Sequence, residues 1–286
     1  MAFLMGLIQG ITSVLPLSSS GHIALIGQLT GQTGAVSLHF MTILHIGTLL
    51  AIIWTFWNEL YKLFLAFVGI LVRSLANVPV LFRNLGNPSK GHYYPVVRGN
   101  YSKLMVMMLL AAAVELPVSL ILRRFAFTGA GSLIFTAMGF FIMALLFMVS
   151  SFTIPSKRSP RTANYKDAFM GGLFQGFAAL PGLSRLGCAF SAGSLCGFKG
   201  PLRMKTAYLM AVPAIIGGLI FVLPSPQVSF EAPAGVPACI VGVAVSTVTS
   251  VFVLRFARRI LVRSSGRGFA IYSLIIGVVC IIASFR

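Results

Sequence analysis

Two short stretches of this sequence bring together residue types that bind or transfer phosphate groups. Ser18–His22 holds three consecutive serines, a glycine and a histidine, and Ser184–Leu186 holds an arginine next to a serine. A serine close to a histidine can act as a nucleophile with its general base, and a histidine can also accept a phosphoryl group itself. Serines near a proline also often do no more than hydrogen-bond the backbone of a turn. The first stretch therefore leaves a catalytic and a structural interpretation open.

Arg185 lies within an apolar segment, where an ionisable side chain is costly. Arginine inside a membrane costs about 2.5–3.5 kcal/mol even on the more lenient scales. Its planar guanidinium can bind phosphate or carboxylate through two parallel hydrogen bonds. Gly182 and Gly187, on either side of it, would let backbone amides approach an anion. The alternative is that the side chain extends to the lipid headgroups.

Three other ionisable side chains in apolar segments are weaker candidates. Glu115 is the one acid predicted inside a span; it is either a functional carboxylate or the partner of Arg123 or Arg124 near the end of its helix. His39 and His45 follow the serine-rich stretch. Their spacing does not place them on one helical face, so a shared metal site is not expected.

The composition defines the class of protein. Hydrophobic residues make up 57% of the 286 residues and charged residues only 9%, against roughly 25% charged in a soluble domain. We therefore expect an all-α integral membrane protein in a single membrane domain, 1–286. The net charge of +18 fits either basic cytoplasmic loops beside anionic headgroups or an anionic substrate. The expected partners are membrane lipids; nucleic acid is not expected, because there is no soluble basic module.

Six stretches are apolar and long enough to cross a bilayer, at about 20 residues each. The predicted spans are 38–57, 103–122, 132–152, 206–223, 236–254 and 268–285. Two further apolar regions, 1–29 and 168–198, are interrupted near their middles by Pro, Gly and Ser. Irregular polar backbone at membrane depth survives only where protein or water surrounds it. Both regions are therefore predicted to be re-entrant helical hairpins that line a polar cavity.

The distribution of basic residues predicts the orientation. Most of the 22 lysines and arginines fall in 58–103, 153–205 and 255–267, and the opposite loops hold only Arg123, Arg124 and Arg286. Basic residues concentrate on the cytoplasmic side, so both termini are expected outside. Within the first of these regions, 60–83 is predicted to be an amphipathic interfacial helix followed by a polar loop, 84–100. A seventh span here is the alternative.

A short motif occurs twice. Gly6-Leu7-Ile8-Gln9-Gly10 recurs as Gly172-Leu173-Phe174-Gln175-Gly176, and the same spacing separates Ser18 from Ser184 and Gly21 from Gly187. The copies lie in the two predicted hairpins, which the orientation places on opposite faces of the membrane. Like repeats of opposite orientation form an inverted repeat with a site near the midplane. The first repeat is expected to cover about 1–152 and the second about 167–286.

The residues of both hairpins resemble the motifs of the undecaprenyl-diphosphate phosphatase family, the bacitracin-resistance type. The family's first motif reads approximately Glu/Gln-Gly-x-Thr-Glu-Phe-Leu-Pro-x-Ser-Ser-Ser/Thr-Gly-His, and Gln9–His22 follows it closely. The second, Pro-Gly-x-Ser-Arg-Ser-Gly, is matched by Pro181–Gly187, and Leu44–Ala51 resembles the family's first full span. The resemblance covers nearly the whole chain, with the motifs in order.

This resemblance implies six spans, two re-entrant hairpins and a site open to the outer leaflet of the bacterial plasma membrane. The implied reaction removes the terminal phosphate of undecaprenyl diphosphate and regenerates the lipid carrier for cell-wall synthesis. Ser19 or His22 would be nucleophile or base, Arg185 would bind the diphosphate, Glu115 stays a candidate acid, and Mg²⁺ or Ca²⁺ is the usual cofactor. Other side chains expected at the substrate are Gln9, Ser13, Ser18, Ser20, Gly21, Ser184 and Gly187.

This chain departs from the family at the carboxylates of the first motif. Gln9 and Ser13 stand at its two Glu positions, Met41 stands where an acid is common, and Leu186 replaces a serine. Mg²⁺ and Ca²⁺ take charged oxygen ligands, which this hairpin lacks. Two functions stay open: hydrolysis supported by Ser19, His22 and Arg185, and non-hydrolytic binding or flipping of a polyprenyl phosphate. Transport of an unrelated solute is a third. The oligomeric state is not fixed, and a homodimer stays open.

Overall fold

The computed structural model of the chain describes residues 1–31, 38–86, 91–129, 132–154, 162–222 and 235–285. These residues form eleven α-helices joined by turns and loops. In chain order they are α1 (Ala2–Thr12), α2 (Ser19–Leu29), α3 (Leu38–Thr55), α4 (Trp57–Gly86), α5 (Gly99–Gly129), α6 (Leu133–Ser151), α7 (Tyr165–Phe177), α8 (Arg185–Leu195), α9 (Gly200–Val222), α10 (Gly235–Arg263) and α11 (Arg267–Ser284).

Six of the helices in the described part of the chain are long and apolar enough to cross a membrane, as a multi-pass membrane protein requires. They are α4, α5, α6, α9, α10 and α11. This set differs from the predicted one, because α4 is included and α3 falls among the shorter apolar helices. Residues 60–83 lie within one continuous helix, so length and composition agree with the alternative of a further span in this region.

The long helices extend beyond the predicted spans where basic residues begin. α9 starts at Gly200 and includes Arg203 and Lys205, and α10 continues to Arg263. A charged side chain is excluded from hydrocarbon but does not interrupt the helical backbone, so the hydrophobic pattern ended before the helix did. The loop 224–235, which the charge distribution places on the outside, lies outside the described residues except for Gly235.

Both interrupted apolar regions form pairs of short helices, as their Pro, Gly and Ser residues predict. α1 and α2 have 11 residues each and are joined by a turn at 13–18. α7 and α8 have 13 and 11 residues and are joined by a turn at 178–184. None of the four reaches the length of about 20 residues that crosses a bilayer. We call the two turns the first tip (13–18) and the second tip (178–184).

The repeated Gly-Leu-x-Gln-Gly motif is a helix-packing face in both places. On α1, a Cβ at Gly6 would lie 2.5 Å from the carbonyl oxygen of Gly242 on α10. On α7, a Cβ at Gly172 would lie 2.2 Å from the carbonyl oxygen of Ala111 on α5. Small residues at these points let two helical backbones approach closely. The motif therefore holds α1 against α10 and α7 against α5.

Three ends of long helices are joined by polar contacts. Lys205 Nζ at the start of α9 lies 2.8 Å from Glu59 Oε1 at the start of α4. Arg203 donates to the carbonyl oxygens of Leu261 (3.1 Å) and Ser264 (2.6 Å) at the end of α10. Last-turn carbonyls lack intrahelical donors, which Arg203 supplies here. The starts of α4 and α9 and the end of α10 therefore lie at one end of the bundle.

The second half of α4 is accompanied by a non-helical segment, residues 91–98. Asn77 Nδ2 donates to the Tyr94 carbonyl oxygen at 2.9 Å, and the Tyr94 amide donates to Asn77 Oδ1 at 2.7 Å. Arg73 Nε donates to the Val96 carbonyl oxygen at 3.0 Å, further back along the helix. The segment thus runs antiparallel to α4, and polar side chains of the helix satisfy its backbone.

Candidate active site

The two tips meet at one cavity, which α3 and α9 complete. Its lining residues come from the first tip with the start of α2 (Thr12, Ser13, Ser18, Ser19, Ser20), from α3 (Met41, Thr42, His45, Thr48, Ile52), from the second tip with the start of α8 (Ala178, Ala179, Leu183, Ser184, Arg185, Leu186) and from α9 (Tyr208, Ala211, Ile215). The sequence predicted that the serines and Arg185 would share a site, and the structure brings them together.

Two helix N-termini face this cavity, because the first residues of α2 and α8 line it. Each is capped by a serine: Ser18 Oγ accepts from the Gly21 amide at 3.4 Å, and Ser184 Oγ accepts from the Gly187 amide at 3.1 Å. A helix N-terminus carries a partial positive charge and unpaired N–H groups, so it favours anions. Gly21 and Gly187 themselves contribute amides to the caps rather than lining the cavity.

Arg185 adds a full positive charge to the cavity. Its side chain is half-buried, and it has no hydrogen-bond or ion-pair partner among the residues that the structure describes. The guanidinium lies beside Gly218 of α9, where a Cβ would be in ordinary van der Waals contact with Nη2 at 3.6 Å. An unpaired guanidinium in a largely apolar bundle is costly, and an anion in the cavity would compensate it.

Ser18 has an unusual backbone conformation. Its φ is 57°, and it is the only residue other than glycine with positive φ in the described ranges. Such a conformation costs a non-glycine residue about 1–3 kcal/mol and tends to occur at functional sites. The geometry directs the Ser18 hydroxyl back to the first turn of α2, where it also lies 3.5 Å from Ser20 Oγ.

Ser13, which replaces the family's motif glutamate, has a hydroxyl that is hydrogen-bonded within the protein. Its hydroxyl lies 2.5 Å from the Gln9 carbonyl oxygen and 2.7 Å from Thr48 Oγ1 on α3. Gln9 is completely buried, and neither polar atom of its amide has a partner among the described residues. Gln175, its counterpart in the repeat, is in the same state. Neither glutamine lines the cavity, so Gln9 is placed behind the site rather than in it.

His22 lies beside the cavity and is fully engaged by the protein. Its Nδ1 donates to the Ser18 carbonyl oxygen at 2.8 Å, since a carbonyl only accepts. Its Nε2 lies 2.7 Å from the Tyr272 hydroxyl of α11, and the two rings stack with centroids 5.8 Å apart. The structure therefore separates the roles of the serine stretch: Ser19 faces the cavity, and His22 ties the first tip to α11.

His45 is the histidine that faces the cavity, and the sequence reasoning missed it. Its Nδ1 donates to the Met41 carbonyl oxygen at 2.8 Å, and its Nε2 has no partner among the described residues. Only a shared metal site with His39 was considered. The signal that could have identified it is the spacing of Thr42, His45 and Thr48, three polar residues along one face of an apolar helix.

Glu115 is buried on α5 and does not line the cavity. Its backbone carbonyl packs against Gly176, on the face where α5 and α7 meet. The carboxylate attracts Arg185 electrostatically without an ion-pair contact. The proposed pairing with Arg123 or Arg124 lies outside the described side chains.

The cavity offers a poor set of ligands for a divalent cation. None of its lining residues is a carboxylate in the described chain, and the described residues contain no group of three or more His, Cys, Asp or Glu placed to hold a metal. The hydroxyls of Ser13 and Thr48 are already bonded to each other. Mg²⁺ and Ca²⁺ prefer charged oxygen ligands, so the residues present do not fit a cation held by protein carboxylates.

Comparison with known proteins identifies the family. The family described as Bacitracin resistance protein BacA matches residues 2–279. A protein from Methanosphaera stadtmanae named undecaprenyl-diphosphatase is 30% identical over 286 residues, covering 99% of this chain and 97% of that protein. Proteins with the same name from Alkaliphilus metalliredigens (25% over 283 residues; 99% and 98% covered) and Bacteroides fragilis strain YCH46 (30% over 292 residues; 99% and 97% covered) are also similar. With its motifs meeting at one cavity and the match running through almost its full length, the chain belongs to the bacitracin resistance protein BacA family.

Proposed function

We propose that this protein is an undecaprenyl-diphosphate phosphatase that removes the terminal phosphate and regenerates the lipid carrier for cell-wall synthesis. The observation that carries the proposal is the convergence of two helix N-termini and the unpaired guanidinium of Arg185 on one cavity. The names of the three relatives agree with it. Phosphoryl transfer depends mostly on positioning and on stabilising negative charge, and these are what this cavity supplies.

The proposed reaction begins with attack on the terminal phosphorus. Arg185 binds two non-bridging oxygens of the diphosphate, and the hydroxyls of Ser18, Ser20 and Ser184 lie around it. Ser19 Oγ forms a bond to the terminal phosphorus while the bond to the bridging oxygen breaks, and undecaprenyl phosphate leaves. Water then hydrolyses the phosphoserine and releases inorganic phosphate.

His22 has a positioning role in this proposal. Its hydrogen bond to the Ser18 carbonyl oxygen supports the strained turn that presents Ser19. The alternative, in which His22 takes the proton or the phosphoryl group itself, requires Nε2 to be released from Tyr272. Trapping a phosphorylated protein intermediate and mapping the modified residue distinguishes Ser19 from His22.

The architecture proposed for this function is an inverted repeat with two re-entrant hairpins. Its support is that corresponding elements make corresponding contacts: α1 packs on α10 as α7 packs on α5, and Ser18 caps α2 as Ser184 caps α8. The short helices end at tips that meet, which is the arrangement of a midplane site. In this proposal 1–286 is one membrane domain, with repeats at about 1–152 and 167–286.

The proposed orientation has both termini outside the bacterial plasma membrane. Lys205–Glu59 and Arg203 with the end of α10 join the three regions that the basic residues assign to the cytoplasm. The segment 91–98 belongs to the same side, and its non-helical backbone along α4 argues that this half of α4 lies outside the hydrocarbon. We therefore place the second half of α4 at the membrane interface.

The decisive experiment is phosphate release by the purified protein. Undecaprenyl diphosphate and farnesyl diphosphate are supplied in detergent, without metal and with Mg²⁺ or Ca²⁺, and inorganic phosphate is measured. Arg185→Ala, purified in the same way, is the matched control for contaminating phosphatases. Release by the wild type and not by the variant supports the proposal. No release under any of these conditions overturns it.

A second candidate is a non-hydrolytic polyprenyl-phosphate binding protein or flippase on the same scaffold. The observation that favours it is the absence of carboxylates from the first tip, where Ser13 is bonded to Thr48 instead. Binding of undecaprenyl diphosphate without phosphate release would select this function. Failure to bind the lipid at all would instead favour an unrelated solute. A bound Mg²⁺ or Ca²⁺, an acid role for Glu115 and a homodimer are subsidiary proposals, tested by metal titration, Glu115→Gln and sedimentation in detergent.

A further inference from the structure

We propose that His45 is the general base of this site, accepting the proton of the Ser19 hydroxyl as it attacks the terminal phosphorus. This inference rests on the proposed phosphatase function and assigns a residue that the motifs of the two hairpins do not contain. It is carried by three features of α3 and the cavity: the free Nε2 of His45, the lack of any other suitable proton acceptor, and the way the ring is held.

The first feature is the hydrogen bonding of the imidazole. Nδ1 is the donor to the Met41 carbonyl oxygen at 2.8 Å. Neutral imidazole carries one N–H, so Nε2 is left with a lone pair that can accept a proton. No described residue bonds to Nε2, and the half-buried ring lines the cavity together with Ser19 and Arg185.

The second feature is what the rest of the cavity lacks. Apart from His45, the titratable side chains on its described lining are Arg185 and Tyr208. Arginine does not give up its proton in proteins, and the Tyr208 hydroxyl donates to the Val14 carbonyl oxygen at 2.6 Å. A general base needs an unprotonated atom with a free lone pair, which neutral imidazole has on one ring nitrogen. Among the described lining residues, His45 alone can take a proton from a nucleophile.

His22 is less suited than His45 to accept the proton of Ser19. Both nitrogens of His22 are engaged, one by Ser18 and one by Tyr272, and the ring is not on the cavity lining. Ser13, at the position of the family's motif glutamate, bonds to Thr48, which lies on the same face of α3 as His45. The face of α3 that meets Ser13 of the first tip, where the family motif has a carboxylate, therefore carries the imidazole of His45.

The third feature is the rigid support of α3. Ser246 Oγ on α10 donates to the Leu44 carbonyl oxygen at 3.1 Å, and a Cβ at Gly47 would lie 2.7 Å from Ser246 Cβ. This contact brackets His45 in the sequence and holds the opposite face of the helix. A base held by packed helices keeps its geometry through the reaction.

The proposed reaction has two halves, and His45 accepts one proton in each. The proton of Ser19 moves to His45 Nε2 as the bond from Ser19 Oγ to phosphorus forms, and the bridging oxygen leaves with its electron pair as the lipid monophosphate. In the second half, the imidazolium returns that proton to solvent, and neutral His45 takes one proton from the water that attacks the phosphoserine. As the water oxygen bonds to phosphorus, the bond from Ser19 Oγ to phosphorus breaks, the proton now on His45 passes to Ser19 Oγ, and inorganic phosphate leaves.

The test is His45→Gln in the phosphate-release assay. Glutamine keeps a hydrogen-bonding side chain of similar length but cannot accept a proton, so we expect kcat to fall by about 10²–10⁴-fold with a small change in KM. We also expect the acidic limb of the kcat/KM profile against pH, which reports an essential base, to be lost. The charged or titratable groups on the cavity lining with His45 are Arg185 from α8 and Tyr208 from α9; Ser13 of the first tip and Ser246 of α10 do not titrate. His92→Gln, on the exposed segment 91–98, is the matched control.

A second variant separates proton transfer from structure. His45→Ala removes the ring from the cavity wall, and added imidazole should restore phosphate release in a saturable manner, which it cannot do for Arg185→Ala. Full activity with an unchanged pH profile in His45→Gln would overturn the role of His45 and leave the phosphatase function standing. A loss of activity that imidazole does not restore, with the pH profile of the residual activity unchanged, would also overturn it. Absence of phosphate release from the wild type would overturn the proposed function itself.

Discussion

The chemistry of this protein is concentrated in a few side chains on two helix tips. Arg185 and the three serines 18–20 were identified from residue type and position, because an arginine in an apolar segment and three consecutive serines close to a proline are conspicuous. The roles of His22 and His45 were not, because they depend on which helix supplies a neighbour. Tyr272 is distant in sequence from His22, so no local sequence pattern predicts the contact between them.

Replacing Arg185 with lysine tests whether its forked geometry or only its charge matters. Arg185→Lys keeps a positive charge but cannot bind two phosphate oxygens in parallel. Loss of one charge-assisted hydrogen bond, worth about 1.5–3 kcal/mol, should lower kcat/KM for undecaprenyl diphosphate about 10- to 100-fold. Arg259→Lys, at an exposed position on α10, should be neutral. Equal activity of Arg185→Lys and wild type would mean that the cavity recognises charge alone.

Restoring the family's carboxylate at the first tip tests what its absence means. Ser13→Glu removes the hydrogen bond to Thr48 and adds a charged oxygen ligand at the cavity. We expect phosphate release to rise and to become dependent on Mg²⁺ or Ca²⁺, since these ions require such ligands. Ser13→Gln, which has the same size and no charge, is the control. If Ser13→Glu and Ser13→Gln behave alike, another acid serves the site, and Glu115 is the next residue to replace.

At the scale of helices, the interruptions in the two apolar regions were predictable and the exact helix ends were not. Pro, Gly and Ser in 1–29 and 168–198 indicated broken helices, and both regions are broken at their tips. The start of α9 was predicted too late and the end of α10 too early, because the hydrophobic pattern stops at the first basic residues. Lys62 and Arg73 interrupt the apolar pattern of α4, which is why 60–83 is predicted to be an interfacial helix, with a further span as the alternative; the structure has one continuous helix here.

The two serine caps should respond differently to glycine. Ser18→Gly loses a cap hydrogen bond, at a cost of a few tenths of a kcal/mol, but relieves a strained φ of 57° that costs about 1–3 kcal/mol. Its thermal unfolding temperature should therefore stay the same or rise. Ser184 has an ordinary φ of −100°, so Ser184→Gly should only lose stability. Thermal unfolding in one detergent compares the pair, and a fall in Ser18→Gly as large as that in Ser184→Gly would show that Ser18 is unstrained.

At the scale of the whole molecule, the charge distribution and the repeated motif can be recognised directly in the sequence. Contacts such as that of Lys205 with Glu59 join helix ends that carry basic residues at one end of the bundle. The repeated glycines lie at corresponding helix contacts, Gly6 against α10 and Gly172 against α5. The sequence does not predict which helices pack against each other, because Gly6 contacts α10 and Gly172 contacts α5 across long sequence separations. The pattern of apolar residues predicts which face of a helix is buried, but it does not identify the helix that packs against that face.

The orientation can be measured with a membrane-impermeant thiol reagent on spheroplasts. In a variant whose four cysteines are replaced and which still releases phosphate, single cysteines are placed at either terminus, at His92 and at Ser265. We expect labelling from outside at both termini, and labelling of the other two only after the membrane is permeabilised. Labelling of Ser265→Cys in intact spheroplasts would reverse the orientation.

The hydrogen bond from Tyr208 to the first tip has a consequence for ion leakage across the membrane. Where helices stop short of crossing, the remaining thickness must be closed by side chains from elsewhere in the bundle. Tyr208 of α9 is completely buried, holds the Val14 carbonyl oxygen and packs on Phe56 with ring centroids 5.3 Å apart. On the α9 side the cavity is therefore bounded by packed aromatic rings. We expect this packed boundary to oppose the passage of ions and protons past the short helices, so that a polar site does not become a leak across the membrane.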